Sequence, residues 1–449
     1  MSNDRPEITG VAKPKILLAD TNRWGLSARL AISLAHVGCE VMGVCPSPGH
    51  ALTKTREVRR TFRYSGLHPV DSLAEAITEA SPDLVIPSCD RSVGHLHELY
   101  RRVAYAEGTG ARKTAMLLDR SLGSPASHAV VSSRHDLLAV AAEEGVRVPR
   151  MRQIRTAEDL EDWREHEPIP WVIKADGTWG GGGVRIAQSW KQAEQALAQL
   201  AGMFRLTRAI KRLAVNRDPF WLRPWWIGVK RDLMVQSFIQ GRPANCAVVS
   251  WKGQVLAAIC VEVASSDGAT GPANIVRLVE NAEMRSAAEK IASRLHLSGF
   301  FGLDFMIEDA TGAAYLIEMN PRPTPPCYLR LGEGRDLPGS LWASLTGQPA
   351  PAAPATPQSE LIAYFPFASR NDPAVLERCY QDIPQNEPEL VDELLHPFPD
   401  RSLLFRLVNS LSPKPSSSTG FAGTGDLALY EMPSVARPDS PDPAAAAKL

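Results

Sequence analysis

The chain has 449 residues with a formal net charge of −1 and 22% charged residues. That length allows two or three domains with ample core, and the balance of charge excludes a global field for nucleic acid or another polyanion. Its seven cysteines have no CxxC pair or metal-type spacing, no apolar run reaches the roughly 18 residues of a membrane span, and the opening is polar, so a reduced, cytoplasmic enzyme is expected.

From residue 13 to about 125, strand-like and helix-like segments alternate. Ile16-Leu-Leu-Ala19, Glu40–Val44 and Asp83–Pro87 read as strands, with helices over Ser27–Val37, stopped by Gly38, and Ser72–Ala80. This βαβ rhythm predicts a parallel sheet flanked by helices. The loop Asp20-Thr-Asn-Arg-Trp-Gly25 lacks the GxGxxG fingerprint, which disfavours a dinucleotide site. That loop and Ser88-Cys-Asp-Arg91 still sit at the carboxyl ends of strands, where such sheets bind ligands.

A second region spans about 126 to 347. It is read as a helix His135–Glu144, a strand Trp171–Lys174, the turn Gly177-Thr-Trp-Gly-Gly-Gly-Gly183, a return strand at Val184 and a helix Lys191–Leu200. Next come a strand Leu233–Ile239, the pair Cys246–Ser250 and Gln254–Val263, and a helix Asn281–Leu295. An Ala/Pro linker occupies 348–358, residues 359–411 are expected to form a small C-terminal α/β region, and the Ser/Pro/Gly/Ala-rich stretch 412–449 is expected to be disordered.

Two segments carry chemistry. In the first, four consecutive glycines, Gly180, Gly181, Gly182 and Gly183, follow Lys174 between two strands. Their backbone can approach a ligand closely and present N–H groups to phosphate oxygens, although a flexible hairpin tip beside a surface lysine has the same sequence. No Gly-Lys-Ser/Thr follows, so this is not a Walker loop. The second segment, Phe301–Arg322, reads as a β-hairpin turning through Glu308–Gly312. If Asp304 faces Glu318, the pairing is symmetric about Thr311, and strand alternation turns Glu318 and Asn320 the same way, towards Asp304. Two carboxylates and an amide oxygen are hard ligands suited to Mg²⁺, which also binds substrate phosphates; a hairpin's solvent face would equally account for two acids.

Together, in this order, these segments resemble the ATP-grasp superfamily, of the carboxylate–amine ligase type similar to carbamoyl-phosphate-synthase-like members. The resemblance implies a Rossmann-like pre-ATP-grasp domain at 13–125 and a two-part ATP-grasp fold at 126–347, in which 170–240 is a mobile, lid-like half. Ser132-Ser-Arg134-His resembles the opening segment, with Arg134 where a phosphate-contacting lysine is usual. Lys174 and Gly180–Gly183 match the second lysine and the phosphate loop, and Gln236, Ser237, Phe238 and Ile239 match the strand that holds adenine. The usual acidic nucleotide contacts are missing at Gln236 and beyond Gly241, which leaves Asn245 as the candidate ribose contact. Asp304, Glu318 and Asn320 fall at the metal positions, for one or two Mg²⁺ ions or for Mn²⁺. Arg322 falls near the transferred phosphate. Met306 and Ile317 are candidates to pack on adenine, or else core residues.

The activity implied is ATP-dependent activation of a carboxylate as an acyl phosphate for attack by an amine, both of them small molecules. The alternatives are a nucleotide-binding scaffold without turnover, and a phosphotransferase that stops at a phosphorylated product. Dimers are common in the family, and the sequence leaves oligomeric state open.

One insertion, 203–226, is basic and Trp-rich, with Met203, Leu206, Ile210 and Leu213 on one helical face; it reads either as a membrane or acyl-chain contact or as a helix packed on its own domain. His95 and His97 are expected as ordinary surface or capping histidines, and Cys89 as a buried structural cysteine.

Overall fold

The computed structural model describes residues 13–47, 49–176, 183–201, 213, 232–266, 271–354 and 359–397. Gly180, Gly181 and Gly182, the insertion 203–226 apart from Leu213, and the stretch 412–449 lie outside the described residues.

The chain opens with a four-stranded parallel sheet of β1 (Lys15–Ala19), β2 (Glu40–Cys45), β3 (Val58–Arg63) and β4 (Leu84–Pro87), in the order β3-β2-β1-β4. The apolar run of β1 is buried on both faces, as a parallel sheet between helices requires. Leu17 packs with Leu73 and Leu96, and Ile16 and Leu18 pack the other way with Leu30 and Leu34. The sequence reading missed β3, whose Arg59, Arg60 and Arg63 are exposed along the sheet edge. A strand with so few buried side chains carries no clear alternation to read.

The next unit is a four-stranded antiparallel sheet of β5 (Met151–Ile154), β6 (Trp171–Ala175), β7 (Val184–Ala187) and β8 (Leu233–Ser237), in the order β5-β8-β6-β7. Its helices Ala157–Arg164 and Trp190–Ala201 close a separate core around Trp163, Trp171, Ile173 and Val235. The larger sheet holds β9 (Gly241–Trp251), β10 (Gln254–Ser266), β11 (Ala273–Leu278), β12 (Gly299–Glu308), β13 (Ala314–Asn320), β14 (Leu361–Ala363) and β15 (Tyr380–Gln381), in the order β13-β12-β9-β10-β11-β14-β15. The helix Ala282–Leu295 lies across it, capped by Asn281 Oδ1 accepting from Met284 N–H at 3.0 Å. Gly241 is required where β9 begins, because a Cβ there would meet Ile307 O at 2.1 Å.

Two joints bear on function. The inner face of the first domain shares one core with the large sheet, Leu18 and Leu34 packing with Val249, Phe300 and Trp342. That apolar seam holds the strand-end loops of the first domain against the hairpin β12–β13. The C-terminal residues add β14 antiparallel to β11, Ile275 opposite Ala363, so this segment extends the large sheet. Among the described residues, no helix is long and apolar enough to cross a membrane.

Candidate active site

The hairpin pairs Asp304 with Glu318, and Gly302 with Asn320, the register expected from symmetry about Thr311. One residue further the symmetry breaks. Phe305 pairs with Leu316, so Ile317 is an extra residue, a β-bulge. The bulge frees a carbonyl, and Lys174 Nζ donates to Ile317 O at 3.0 Å from the smaller sheet. Asp304 is held by two amides: Asn320 Nδ2 donates to Oδ2 at 2.8 Å, and Asn245 Nδ2, from the neighbouring strand β9, donates to Oδ1 at 2.7 Å. Asn245 was the candidate ribose contact. Its Nδ2 is the group that holds Asp304, and its Oδ1 accepts from Thr324 Oγ1 at 3.3 Å. The hairpin alone did not reveal that β9 lies on the other side of β12.

Three cations converge on these acids from three parts of the chain. Arg134, at the start of the helix Arg134–Glu143, donates to Glu318 Oε1 at 2.7 Å and to Ala175 O at 2.6 Å, and its Nη1 lies 3.5 Å from Asp176 Oδ1. Its helix position is fixed by Ser133 Oγ, which accepts from Asp136 N–H at 3.2 Å. Lys174 is 4% exposed. Arg322 donates through Nη2 to Asn320 Oδ1 at 3.0 Å and through Nε to Asp90 Oδ2 at 3.0 Å, and its Cζ lies 5.3 Å from the centroid of the Trp24 ring. Asp90 and Trp24 come from the strand-end loops of the first domain. Sequence reading flagged those loops as ligand-facing without assigning either residue a role.

The protonation states follow from burial and charge. Burial raises the Asp304 carboxyl, and the neighbouring Glu318 charge raises it further. Burial would raise Glu318 too, but Arg134 and Lys174 outweigh it and hold that carboxyl below the usual range. Burial pushes Lys174 down to about 8, against the pull of Glu318. Arg322 is held above the usual guanidinium value, because Asp90 outweighs burial.

The donor set fits a divalent cation. Among the described residues no cluster of three His, Cys, Asp or Glu forms; Asp304 and Glu318 reach three hard donors only through the amide oxygen of Asn320. Arg134, Lys174 and Arg322 face Asp90, Asp176, Asp304 and Glu318, three positive groups against four carboxyls. Added positive charge would relieve the Asp304–Glu318 repulsion.

The remaining expected residues divide between two locations. Gln236 lies on β8 opposite Val172 of β6, 2% exposed, with its Nε2 buried and unpartnered. Ser237 ends that strand, its N–H donating to Arg150 O at 2.9 Å, and half-buried Phe238 and Ile239 form the link to β9. Met306 and Ile317 are half-buried, while the core takes Phe305, Ile307 and Leu316. That leaves Met306 and Ile317 available to a ligand. Gly183 is in place, its O accepting from Ala175 N–H at 3.0 Å, which closes the base of the glycine turn. Cys89 is buried beside Thr21, as expected. His97 departs from its expectation: it is buried and stacked on His128 with ring centroids 3.9 Å apart.

A parallel α/β domain set against two antiparallel sheets, one carrying the acids and the other the lysine, defines a two-sheet clamp. Residues 132–326 match the ATP-grasp domain family, so this part of the chain is an ATP-grasp domain. Among solved structures it is similar to N5-carboxyaminoimidazole synthetase from Staphylococcus aureus complexed with ADP, at 13% identity over 76% of this chain and 80% of that one, with a TM-score of 0.54. The biotin carboxylase domain of 2-oxoglutarate carboxylase from Hydrogenobacter thermophilus matches at 16% identity over 76% and 71%, TM-score 0.52. Biotin carboxylase from Campylobacter jejuni matches at 17% over 76% and 72%, TM-score 0.53. At these identities the likeness is one of fold. The ATP-grasp fold implies ATP-dependent, ligase-type activity.

Proposed function

We propose that this chain is an ATP- and Mg²⁺-dependent ligase that phosphorylates a carboxylate and passes the acyl group to an amine. The observation that carries the proposal is the junction at Asn320: one amide joins Asp304, a candidate metal ligand, to Arg322, the cation facing the first domain. Metal-held phosphate and carboxylate substrate would therefore meet at that residue.

Phosphoryl transfer asks the protein for position and charge rather than covalent chemistry. Asp304, Glu318 and the Asn320 oxygen would hold Mg²⁺, which when bound supplies neutralisation of phosphate charge. Arg134 and Lys174 stand beside Glu318 to take phosphate oxygens. The Gln236 amide, buried with an idle donor, suits an acceptor atom of the adenine ring. Arg322 is placed to stabilise charge on the acyl phosphate and on the tetrahedral adduct formed when the amine attacks. No general base is assigned, since substrate phosphate or solvent can take the amine proton.

The test is ADP release from full-length protein with MgATP against a matrix of carboxylic acids and amines, with mass spectrometry of the products. An amide product appearing with ADP is the expected result. A phosphorylated carboxylic or other product formed without any amine would replace the ligase reading with a phosphotransferase. MgATP binding with no ADP from any pair would leave a nucleotide-binding scaffold.

A further inference from the structure

The two acids of the hairpin are held by different kinds of partner. Asp304 accepts from two neutral amides, Asn245 Nδ2 at 2.7 Å and Asn320 Nδ2 at 2.8 Å. An amide leaves a carboxylate oxygen its second lone pair and adds no net charge. Glu318 accepts instead from a cation. Arg134 Nη2 donates to its Oε1 at 2.7 Å, and the two side chains are only 14% and 22% exposed. A charge-assisted bond of that length is among the stronger ones a protein makes.

The other two cations have their partners elsewhere. Arg322 reaches Asn320 Oδ1, but its charge is answered by Asp90, 3.0 Å from Nε. Lys174 donates to the Ile317 carbonyl. Arg134 is closest to Glu318 itself, with Asp176 Oδ1 further off at 3.5 Å from Nη1. Its Nη1 also donates to Ala175 O at 2.6 Å, and Ala175 N–H donates to Gly183 O across the base of the glycine turn. One guanidinium thus stands between a candidate metal ligand and the turn expected to carry phosphate.

We propose that Arg134 is a resident counter-ion that keeps a free divalent cation off Glu318 and releases that carboxylate when nucleotide phosphate takes the guanidinium. A metal and Arg134 contend for one oxygen, and two cations on it repel each other. Phosphate offers the guanidinium another anion of matching geometry, so Arg134 turns from Glu318 without losing a charged partner. Metal and nucleotide are therefore coupled, each binding more tightly once the other is present. The proposal rests on the metal assignment within the ligase reading and on none of its substrates.

The test is a Mn²⁺ titration of the full-length protein without nucleotide, followed by electron paramagnetic resonance, beside a calorimetric titration with ADP in saturating Mn²⁺. Arg134→Met should bind Mn²⁺ alone about tenfold tighter than wild type or more, the scale of one hydrogen bond to a charged group that no longer has to be broken. The same variant should bind ADP about tenfold more weakly, because the phosphate has lost its guanidinium. A residue that only shaped the site would weaken both on removal, so the opposite signs are the signature. Arg134→Gln keeps a neutral donor for Glu318 and should show the same signs if the methionine fails to fold. Arg134→Lys keeps the charge and should hold Mn²⁺ as weakly as wild type. Adding Glu318→Gln to Arg134→Met should abolish the gain, and a gain that survives would place the metal elsewhere and reject the proposal. Mn²⁺ affinity unchanged or weakened in both neutral variants overturns it, leaving the metal assignment intact. ADP affinity indifferent to Mn²⁺ in wild type would instead fail the metal assignment, and the counter-ion role with it.

Discussion

The two sides of Trp24 are built on opposite principles. Towards the hairpin, each charged side chain already has a partner: Asp304 with two amides, Glu318 with Arg134, Arg322 with Asn320 and Asp90, Lys174 with a carbonyl. Towards the crevice between the first domain and the C-terminal residues, Arg29 is paired with Asp382 at 3.5 Å, but its Nη1 and the Tyr364 hydroxyl have no hydrogen-bond partner. The hairpin side spends its polar groups on holding one another in place before any ligand arrives, which is what charge stabilisation in a transition state requires. The crevice side leaves two buried donors idle.

The contrast is tested most severely at Glu318. Replacing it with Gln keeps an oxygen for Arg134 but removes the charge set against Arg134 and Lys174. ADP formation is expected to fall by about 10²-fold or more, the scale of losing one organised charged contact. Thermal unfolding checks that the fold survives, and near-wild-type turnover would refute the metal and phosphate assignments. Arg322→Lys comes next. The ammonium keeps the charge but cannot donate at once to Asp90, Asn320 and Pro323 O as the guanidinium does. A fall of about 10- to 100-fold in kcat, with nucleotide affinity nearly unchanged, is the expected reading by steady-state kinetics.

How far these assignments can be read from sequence depends on the distance each spans. Asp304 opposite Glu318 is legible because a hairpin's register is fixed locally by its turn. The bulge at Ile317 is not, since no residue type there announces it, yet its carbonyl is the one Lys174 uses. The link from Asn245 to Asp304 is not legible, because the two meet only across the sheet and lie 59 residues apart. Asp90 meets Arg322 across 232 residues. The parallel sheet was readable from buried runs such as Ile16–Ala19, whereas β3, all edge and arginine, was not. The crevice joins Arg29 to Asp382 and Tyr364 across most of the chain, and no spacing in the sequence announces it.

A smaller effect separates the two sides by pH. With Lys174 pushed down to about 8 by burial, its ammonium is present below that pH and lost above it. ADP affinity, measured by titration in Mg²⁺, should therefore weaken as pH rises through 8 towards the higher pKa of the lysine in the complex, and Lys174→Met should remove the step. Stability of the ligand-free protein should move the other way. The unfolded lysine keeps its proton to about 10.5 and the folded one only to about 8, so between those values the unfolded state binds more protons and stability rises with pH. A step in ADP affinity that persists in Lys174→Met would assign the titration to another group.

The smallest expected effect compares two tyrosines of the crevice itself. The Tyr328 hydroxyl donates to the buried Asp382 carboxylate, and its removal in Tyr328→Phe leaves that carboxylate one donor short, a cost of about 1–3 kcal/mol. The Tyr364 hydroxyl is equally buried but idle. Removing it in Tyr364→Phe breaks no internal bond and relieves a desolvated donor, so stability in urea should hold or rise slightly. The two substitutions delete the same atom from neighbouring walls of one crevice, so their difference measures how far the fold already uses each hydroxyl. If Tyr364→Phe cost as much as Tyr328→Phe, the Tyr364 hydroxyl would be serving the fold. The crevice would then have no donor in reserve there, and its contrast with the hairpin would fail at the residue where it is sharpest.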